Sequence, residues 1–330
     1  MYDTSDDDIF SSMFPIDEST LGNPPQDFWF PQEDEPYVPP RTSETDLDPT
    51  TLEFARSLGI DLDAFVNNPK NDYKSTRDVN PIVHGYGVFD TVSKPIMISI
   101  ADLVGHDDCR ERKGNNILFT FHQFYDRYGG TTYQSRALPL LEYKSGEELL
   151  EGLRRRNDDT RDMRVKEVEE GKYVISGNGL HRFSVLRFHY LADLSKKEKS
   201  EEELRELYTI PVTLDSKVNL FKTYCNFIIC RANNNIKFIT FYTGEDPTIY
   251  FNNGEVKKID ESQLLSLAQE SVDLLDAYSI YPMLDYYEDI PTFRQFVDTY
   301  VPKLAERIKS EKEKSNDKID RGYWYNWRNV

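Results

Sequence analysis

Seven consecutive residues combine glycines with polar side chains in a pattern that suits an anion. The stretch 176-SGNGLHR-182 has two glycines and an asparagine shortly before a His-Arg pair. Glycine allows positive φ and close backbone approach, so successive N–H groups can face one anion. Arginine can donate to two phosphate oxygens, and histidine can donate or accept near neutral pH. The stretch therefore predicts a phosphate-binding turn made of Ser176, Gly177, Asn178, Gly179, His181 and Arg182.

A strand and a helix must hold this turn in place. The stretch 172–176 predicts a short strand, and the apolar stretch 181–194 predicts a helix that packs into the core. A helix N-terminus favours a phosphate by about 0.3–1 kcal/mol when it is exposed. The structural alternative is a plain glycine turn in which His181 caps the helix and Arg182 forms a salt bridge. Spacing alone leaves both interpretations open.

Further strands and helices are predicted on both sides of the turn. Alternating apolar residues predict a strand over 95–103, and 208–214 predicts another. Pro211 favours an edge or bulged position for the second strand, because proline cannot donate to a ladder. Capping boxes predict two helix starts, at Ser145 with Glu148 and at Ser200 with Glu203. This alternation of predicted strands and helices along the chain indicates an α/β (α+β) fold with a small mixed sheet.

The flanks of this region predict other elements. Pro49 and Gly59 bracket a short predicted helix. Beyond residue 217 the sequence predicts three short strands, over 225–232, 236–243 and 247–251. It then predicts a helix from Asp260 to about residue 277 and a last helix from Pro291 that is kinked or broken at Pro302.

Charge and composition divide the chain into four predicted parts. They are a disordered, acidic, Pro-rich tail (1–48), a short helix and linker (49–92), an α/β domain (93–216) and a strand-then-helix extension (217–330). The net charge is −18, and residues 1–50 hold thirteen acidic side chains against the single Arg41. Residues 91–240 sum to about +2. This slightly basic segment suits a phosphate, whereas long-duplex binding would need a clearer basic stripe.

Composition also excludes several classes of protein. No apolar run is long enough to span a bilayer, and the acidic N-terminus lacks the layout of a signal peptide. We therefore expect a cytoplasmic protein that has no membrane partner. Cys109, Cys225 and Cys230 include no CxxC pair, so we expect free thiols, with neither a disulfide framework nor a zinc site.

Three other segments each allow two interpretations. Phe28, Trp29 and Phe30 within the acidic tail form either a docking motif for a protein partner or a segment that folds back on the chain. The stretch 105–136 is either a substrate lid or a solvated loop. Three arginines, 154–156, end a predicted helix, where cations stabilise the helix dipole; contact with nucleic acid is the alternative.

The turn and its neighbours resemble a known superfamily. The string YVISGNGLHRFSVLRFHYL, preceded by PIMISIADL and followed by YTIPVTL, resembles the ParB/sulfiredoxin superfamily. The resemblance covers roughly residues 93–215 and is most specific at 173–191. It implies a ParB/sulfiredoxin-like core. It also implies that nucleotide phosphates are held by Gly177, Asn178, Gly179, His181 and Arg182.

The sequence departs from the superfamily pattern at several positions. Leu180 stands where sulfiredoxin-like members have a catalytic cysteine, so sulfiredoxin activity is not expected. The arginine-rich turn and the helix-turn-helix domain of partition proteins are not found in this sequence. Ser176 stands where kinase-like members often have aspartate. Asp102, after the first predicted strand, is the candidate catalytic base or metal contact.

Three functional hypotheses follow from the sequence. The first is an enzyme, an NTPase or phosphotransferase that binds a nucleoside di- or triphosphate with Mg²⁺ and uses His181, Arg182 and Asp102 in catalysis. The second is a ParB-like DNA-binding or nuclease protein, whose affinity would fall steeply with salt. The third is a non-catalytic interaction module in which the turn is a relic of the fold.

Overall fold

The turn lies within a mixed assembly of strands and helices. The structure is a computed structural model that describes residues 49–61, 64, 68, 71, 76–106, 138–155, 162–275 and 287–319, all within the unit Arg41–Val330. Its strands are β1 (Phe89–Ser99), β2 (Leu103–His106), β3 (Arg164–Glu169), β4 (Lys172–Ile175), β5 (Thr209–Val218), β6 (Ile236–Thr240), β7 (Thr248–Phe251) and β8 (Val256–Lys258).

The helices are interspersed with these strands along the chain. They are α1 (Pro49–Ser57), α2 (Thr76–Val79), α3 (Pro81–Tyr86), α4 (Leu138–Leu141), α5 (Gly146–Arg155), α6 (Leu180–Lys196), α7 (Glu201–Leu207), α8 (Leu220–Ala232), α9 (Glu261–Leu274), α10 (Pro291–Tyr300) and α11 (Pro302–Ile319). The tail aromatics (28–30), Cys109, Arg156 and residues 107–136 of the predicted loop lie outside the described residues.

Five strands form a mixed sheet in the order β1-β5-β3-β4-β2. The pairs β1–β5 and β3–β4 are antiparallel, whereas β3–β5 and β2–β4 are parallel. The strand predicted over 95–103 begins earlier and ends at Ser99, because a 3₁₀ turn, Ile100–Asp102, interrupts it. The Ser99 side chain caps this turn by accepting from the Ala101 N–H. The predicted α/β fold class with a mixed sheet is confirmed.

The edge position predicted from Pro211 is wrong for β5 as a whole, since β5 lies between β1 and β3. Pro211 pairs with Met97 of β1, and pairing with β3 begins two residues later at Thr213. The proline therefore stands where β5 has a strand on one side only, so its missing N–H costs no ladder bond. The edge position indicated by Pro211 is therefore correct only for the N-terminal part of β5.

Two large hydrophobic cores and a smaller cluster of four valines (83, 168, 174 and 218) stabilise the described part of the chain. The first packs α1, α5, α6 and α7 against the five-stranded sheet, and α6 is buried on most of its surface, as predicted. The second packs α3, α8, α9, α10 and α11 with a three-stranded sheet of order β6-β7-β8. The turn thus rests on the helix most deeply embedded in the first core, which fixes its position.

The strand predicted over 225–232 is wrong, because these residues belong to the helix α8. The Asn219 side chain caps the helix by accepting from the Lys222 N–H at 3.0 Å. Thr223, Tyr224 and Cys225 are consecutive and all buried, so they cover different sides of α8. A helix that is apolar all round shows no helical period, and its aromatic and β-branched residues suggest a strand.

The remaining predictions for the flanks agree with the structure. The short helix begins at Pro49, and Gly59 beyond its end has a positive φ of 72°. The predicted strands near 236 and 247 are present as β6 and β7. The capping box predicted at Ser200 with Glu203 is confirmed. The helix predicted from Asp260 also begins with a capping box, which Asp260 forms with Gln263. At Ser145 only half of the box forms, because Glu148 accepts from the Lys144 N–H. The last helix is broken before Pro302.

Candidate functional site

The turn connects the end of β4 to the start of α6. Strand β4 ends at Ile175, and α6 begins at Leu180. The neighbouring parallel strand β2 places His106 opposite Ile175, so both strands end at the same edge of the sheet. Ligands of open α/β sheets bind outside the carboxyl ends of parallel strands. The strand, turn and helix predicted from sequence are confirmed, and they place the turn at such an edge.

Arg164, the first residue of β3, forms backbone hydrogen bonds with the turn. The Ser176 N–H donates to the Arg164 carbonyl at 3.1 Å, and the Arg164 N–H donates to the Asn178 carbonyl at 3.0 Å. At the far end, the Phe183 N–H donates to the Gly179 carbonyl at 2.9 Å and starts the α-helical hydrogen bonding. Both ends of the turn are therefore held by backbone hydrogen bonds, which gives the turn a fixed shape.

Only one of the two glycines adopts the conformation that glycine alone tolerates. Gly179 has φ 108° and ψ 1°, and a Cβ there would stand 2.6 Å from Met163 Cγ. Gly177 has no positive φ, and a Cβ there would make only ordinary contacts, at 3.5 Å and 3.6 Å, with the Arg164 side chain. Of the two properties of glycine named from the sequence, Gly179 uses the left-handed conformation. Gly177 contributes an exposed backbone without a side chain.

Several N–H groups of the turn are available to a ligand. Within the described part of the chain, the N–H groups of Gly177, Asn178 and Gly179 donate to no carbonyl or side chain, and no side chain caps α6. Gly179 has positive φ and Asn178 does not. Successive N–H groups in such a turn can form a concavity that binds an anion. The turn also lies at the positive end of a 17-residue helix.

His181 and Arg182 lie in the first turn of α6, directly after these N–H groups. Both side chains are half-buried, and the Nε2 atom of His181 is fully buried. Ser176, at the other end of the turn, is half-buried as well, whereas Gly177 and Asn178 are exposed. The six residues predicted from the sequence therefore lie close together along one short backbone segment that is partly exposed to solvent.

Two charged residues that the sequence did not single out lie beside the turn. Arg164 Nη1 donates to Asp215 Oδ1 at 3.0 Å, and the Ser176 hydroxyl donates to Asp215 Oδ2 at 3.1 Å. The side chain of Arg164 also lies beside Gly177, since a Cβ on this glycine would stand 3.5 Å from Arg164 Cδ. Asp215 comes directly after the predicted strand 208–214. This position at a strand end is the sequence feature from which Asp215 could have been predicted as a site residue.

Asp102, the candidate base or metal contact, has a different environment from the one expected. Its Oδ1 accepts from Arg205 Nη2 at 2.6 Å, which joins the 3₁₀ turn to α7. No hydrogen bond or ion pair found in the described residues connects Asp102 with the glycine turn. The same part of the chain contains no group of three or more His, Cys, Asp or Glu residues arranged to hold a metal ion.

Burial makes one histidine and two cysteines outside the turn chemically unreactive at neutral pH. His189, on α6, lies edge-on to Phe54 at 5.5 Å, and burial lowers its pKa to about 4, so it is neutral at pH 7. Cys225 and Cys230 are free thiols, as predicted, and burial raises their pKa values to about 12 and about 11. Thiols with such raised pKa values are poor nucleophiles.

No protein-family model matches this chain, and no curated protein or solved structure matches it either. Among the helices of the described residues, none is both long and apolar enough to cross a membrane.

Proposed function

We propose that the turn Ser176–Arg182 binds the phosphate groups of a nucleotide. The observation that supports this most strongly is the set of three consecutive N–H groups, at Gly177, Asn178 and Gly179, which have no protein acceptor among the described residues. Gly179 is buried, so its N–H gains most from a ligand, because a buried donor without a partner is costly. Gly177 and Asn178 are exposed, so their N–H groups are open to the same ligand. Phosphate oxygens are strong acceptors, and the helix dipole favours their negative charge.

The proposal extends to an activity, an NTPase or phosphotransferase of the ParB/sulfiredoxin type built on residues 93–216. Catalysis of phosphoryl transfer consists mainly of positioning and of stabilising charge on the phosphoryl oxygens. In this chain the backbone N–H groups orient the phosphates, and Arg182 and Arg164 balance their charge. Mg²⁺, when bound with the nucleotide, would supply further charge stabilisation. Leu180 lacks a thiol, so repair of oxidised cysteine is not part of the proposal.

A cytoplasmic location accords with this proposal, because nucleoside di- and triphosphates are abundant there. The proposal assigns no membrane partner. DNA and a protein partner are the alternative ligands, and the experiment below separates them from a nucleotide.

The test is calorimetric titration with ATP, ADP, CTP and GTP, each with Mg²⁺. The wild type is compared with His181→Ala/Arg182→Ala, and the matched control is His84→Ala/Arg56→Ala, which removes the same residue types from exposed positions on α3 and α1. We expect the wild type and the control to bind at least one nucleotide, and the double variant to bind it at least about tenfold more weakly.

Either of two results would contradict the proposal. One is that the wild type binds none of the four nucleotides, which would redirect the search to short oligonucleotides and protein partners. The other is that the double variant binds as tightly as the wild type. Because residues 1–48 are strongly acidic, the oligonucleotide titrations would be made with and without that segment.

A further inference from the structure

A carboxylate stands beside the turn that we propose for phosphate. Asp215 receives two hydrogen bonds, one from the Ser176 hydroxyl at 3.1 Å and one from Arg164 at 3.0 Å. Its side chain is 24% exposed, so it is accessible at the surface. A carboxylate close to a phosphate repels it unless a cation lies between them. In this structure the Arg164 guanidinium lies on Asp215, and a divalent cation bound to Asp215 would release Arg164 towards the proposed ligand.

We propose that Asp215 and the Ser176 hydroxyl hold the divalent cation of a Mg²⁺–nucleotide complex. This inference rests on the proposed function, since the phosphates would supply further ligands to the same ion. Mg²⁺ prefers hard oxygen ligands, keeps several waters, and is usually bound by one or two carboxylates together with substrate phosphates. A site with one carboxylate and one hydroxyl fits this mode, which needs no cluster of three acidic or histidine side chains.

A hydroxyl that is hydrogen-bonded to an aspartate, next to a phosphate-binding turn, is a known chemical arrangement for Mg²⁺. In P-loop nucleotide-binding proteins, a serine or threonine and an aspartate from a separate strand hold the ion. In this chain the hydroxyl belongs to the first residue of the turn and the aspartate belongs to β5. Ser176 directly precedes the Gly177 N–H, so an ion on its Oγ is adjacent to the first N–H group proposed for phosphate.

Arg164 stabilises the Asp215 carboxylate when no metal ion is bound. Its guanidinium balances the charge of Asp215, and its side chain is 54% exposed, so the ion pair can rearrange at low cost. When the cation binds to Asp215, Arg164 has further N–H donors for the phosphate. The same three residues thus serve a metal-free and a metal-bound state.

The test compares nucleotide affinity with and without the cation. Calorimetric titrations with the nucleotide that the wild type binds most tightly are made in Mg²⁺ and in EDTA on wild type, Asp215→Asn, Ser176→Ala and the control Asp298→Asn, whose carboxylate pairs with Arg294 instead. We expect the wild type and the control to bind at least about tenfold more tightly in Mg²⁺. For Asp215→Asn we expect this ratio to fall to about twofold or less, with affinity in EDTA equal to or above that of the wild type.

Ser176→Ala is expected to give an intermediate ratio. Asparagine has nearly the shape of aspartate, and binding in EDTA shows that the variant is folded. The inference is overturned if Asp215→Asn keeps the full effect of Mg²⁺, or if the wild type binds the nucleotide equally well in both buffers. If the wild type binds none of ATP, ADP, CTP and GTP in either buffer, the proposed nucleotide function fails together with the inference.

Discussion

Gly179 lies so close to Met163 that a Cβ on the glycine would stand 2.6 Å from Met163 Cγ and 3.2 Å from its Cα. Met163 directly precedes β3 and is fully buried, so it cannot move away easily. Gly179 also has φ 108°, which side chains other than hydrogen rarely tolerate. Space and backbone conformation therefore both require glycine where the turn enters α6.

The two glycines of the turn should consequently respond very differently to alanine. We expect Gly179→Ala to lower the free energy of unfolding by at least about 2 kcal/mol, from backbone strain and overpacking together. Gly177→Ala should change it by less than about 0.5 kcal/mol, because its Cβ would meet only the Arg164 side chain at ordinary distances. Urea unfolding of the two variants measures this difference. Equal losses for both would show that the turn has another conformation.

Stability should depend on pH through His189. Burial lowers the pKa of His189 to about 4, below its ordinary value of 6.5. Between these two pH values His189 is therefore neutral in the folded state and protonated in the unfolded state. This contribution is fully present above pH 6.5 and is lost as the pH falls towards 4. Between pH 7.5 and pH 5.0, His189 should account for about 2 kcal/mol of the loss in unfolding free energy.

Urea unfolding at these two pH values tests the assignment to His189. His189→Phe keeps an aromatic ring against Phe54 and has no proton to accept, so its stability should fall about 2 kcal/mol less than that of the wild type. His84→Gln, at an exposed position, should leave the pH dependence unchanged. A His189→Phe variant with the pH dependence of the wild type would rule out this source.

The buried hydroxyl of Tyr208 should stabilise the packing of α6 against α7. Tyr208 is fully buried, and its hydroxyl donates to Asp193 Oδ2 at 2.7 Å. Burial, followed by this hydrogen bond and the charge of Asp193, raises the pKa of Tyr208, so the group stays protonated and donates. Tyr208→Phe should lower the free energy of unfolding by about 1.5 kcal/mol, the lower end for a bond to a charged acceptor.

Thermal unfolding of Tyr208→Phe beside Tyr242→Phe checks this value. Tyr242 is 61% exposed, so loss of its hydroxyl should change stability by less than about 0.5 kcal/mol. If the two variants unfold at the same temperature, the hydrogen bond to Asp193 makes no net contribution.

The sequence was informative where local signals act within a few residues. The strand and the helix on either side of the turn follow from periodicity and from the glycines, and the capping boxes at Ser200 and Asp260 depend on contacts three residues away. It was misleading for α8, since a helix buried on most sides lacks a helical period. Burial of that kind depends on the second core, which no local pattern specifies.

The charged neighbours of the turn were beyond the reach of sequence patterns. Arg164 and Asp215 are 51 residues apart and meet only because β3 pairs with β5. Asp102 and Asp215 both stand at the end of a predicted strand, and Asp102, the candidate chosen from the sequence, pairs with Arg205, 103 residues away. Strand order decides which of the two carboxylates faces the turn, and strand order is a long-range property.

The measurement that tests the central claim most directly is an amide NMR titration of ¹⁵N,²H-labelled protein with ATP and Mg²⁺, repeated with pyrophosphate. If the N–H groups of the turn bind phosphate, the amide signals of Gly177, Asn178, Gly179 and Leu180 should show the largest shifts and should saturate together with both ligands. Saturable binding that leaves these four signals unchanged, or an absence of any shift, would contradict the account.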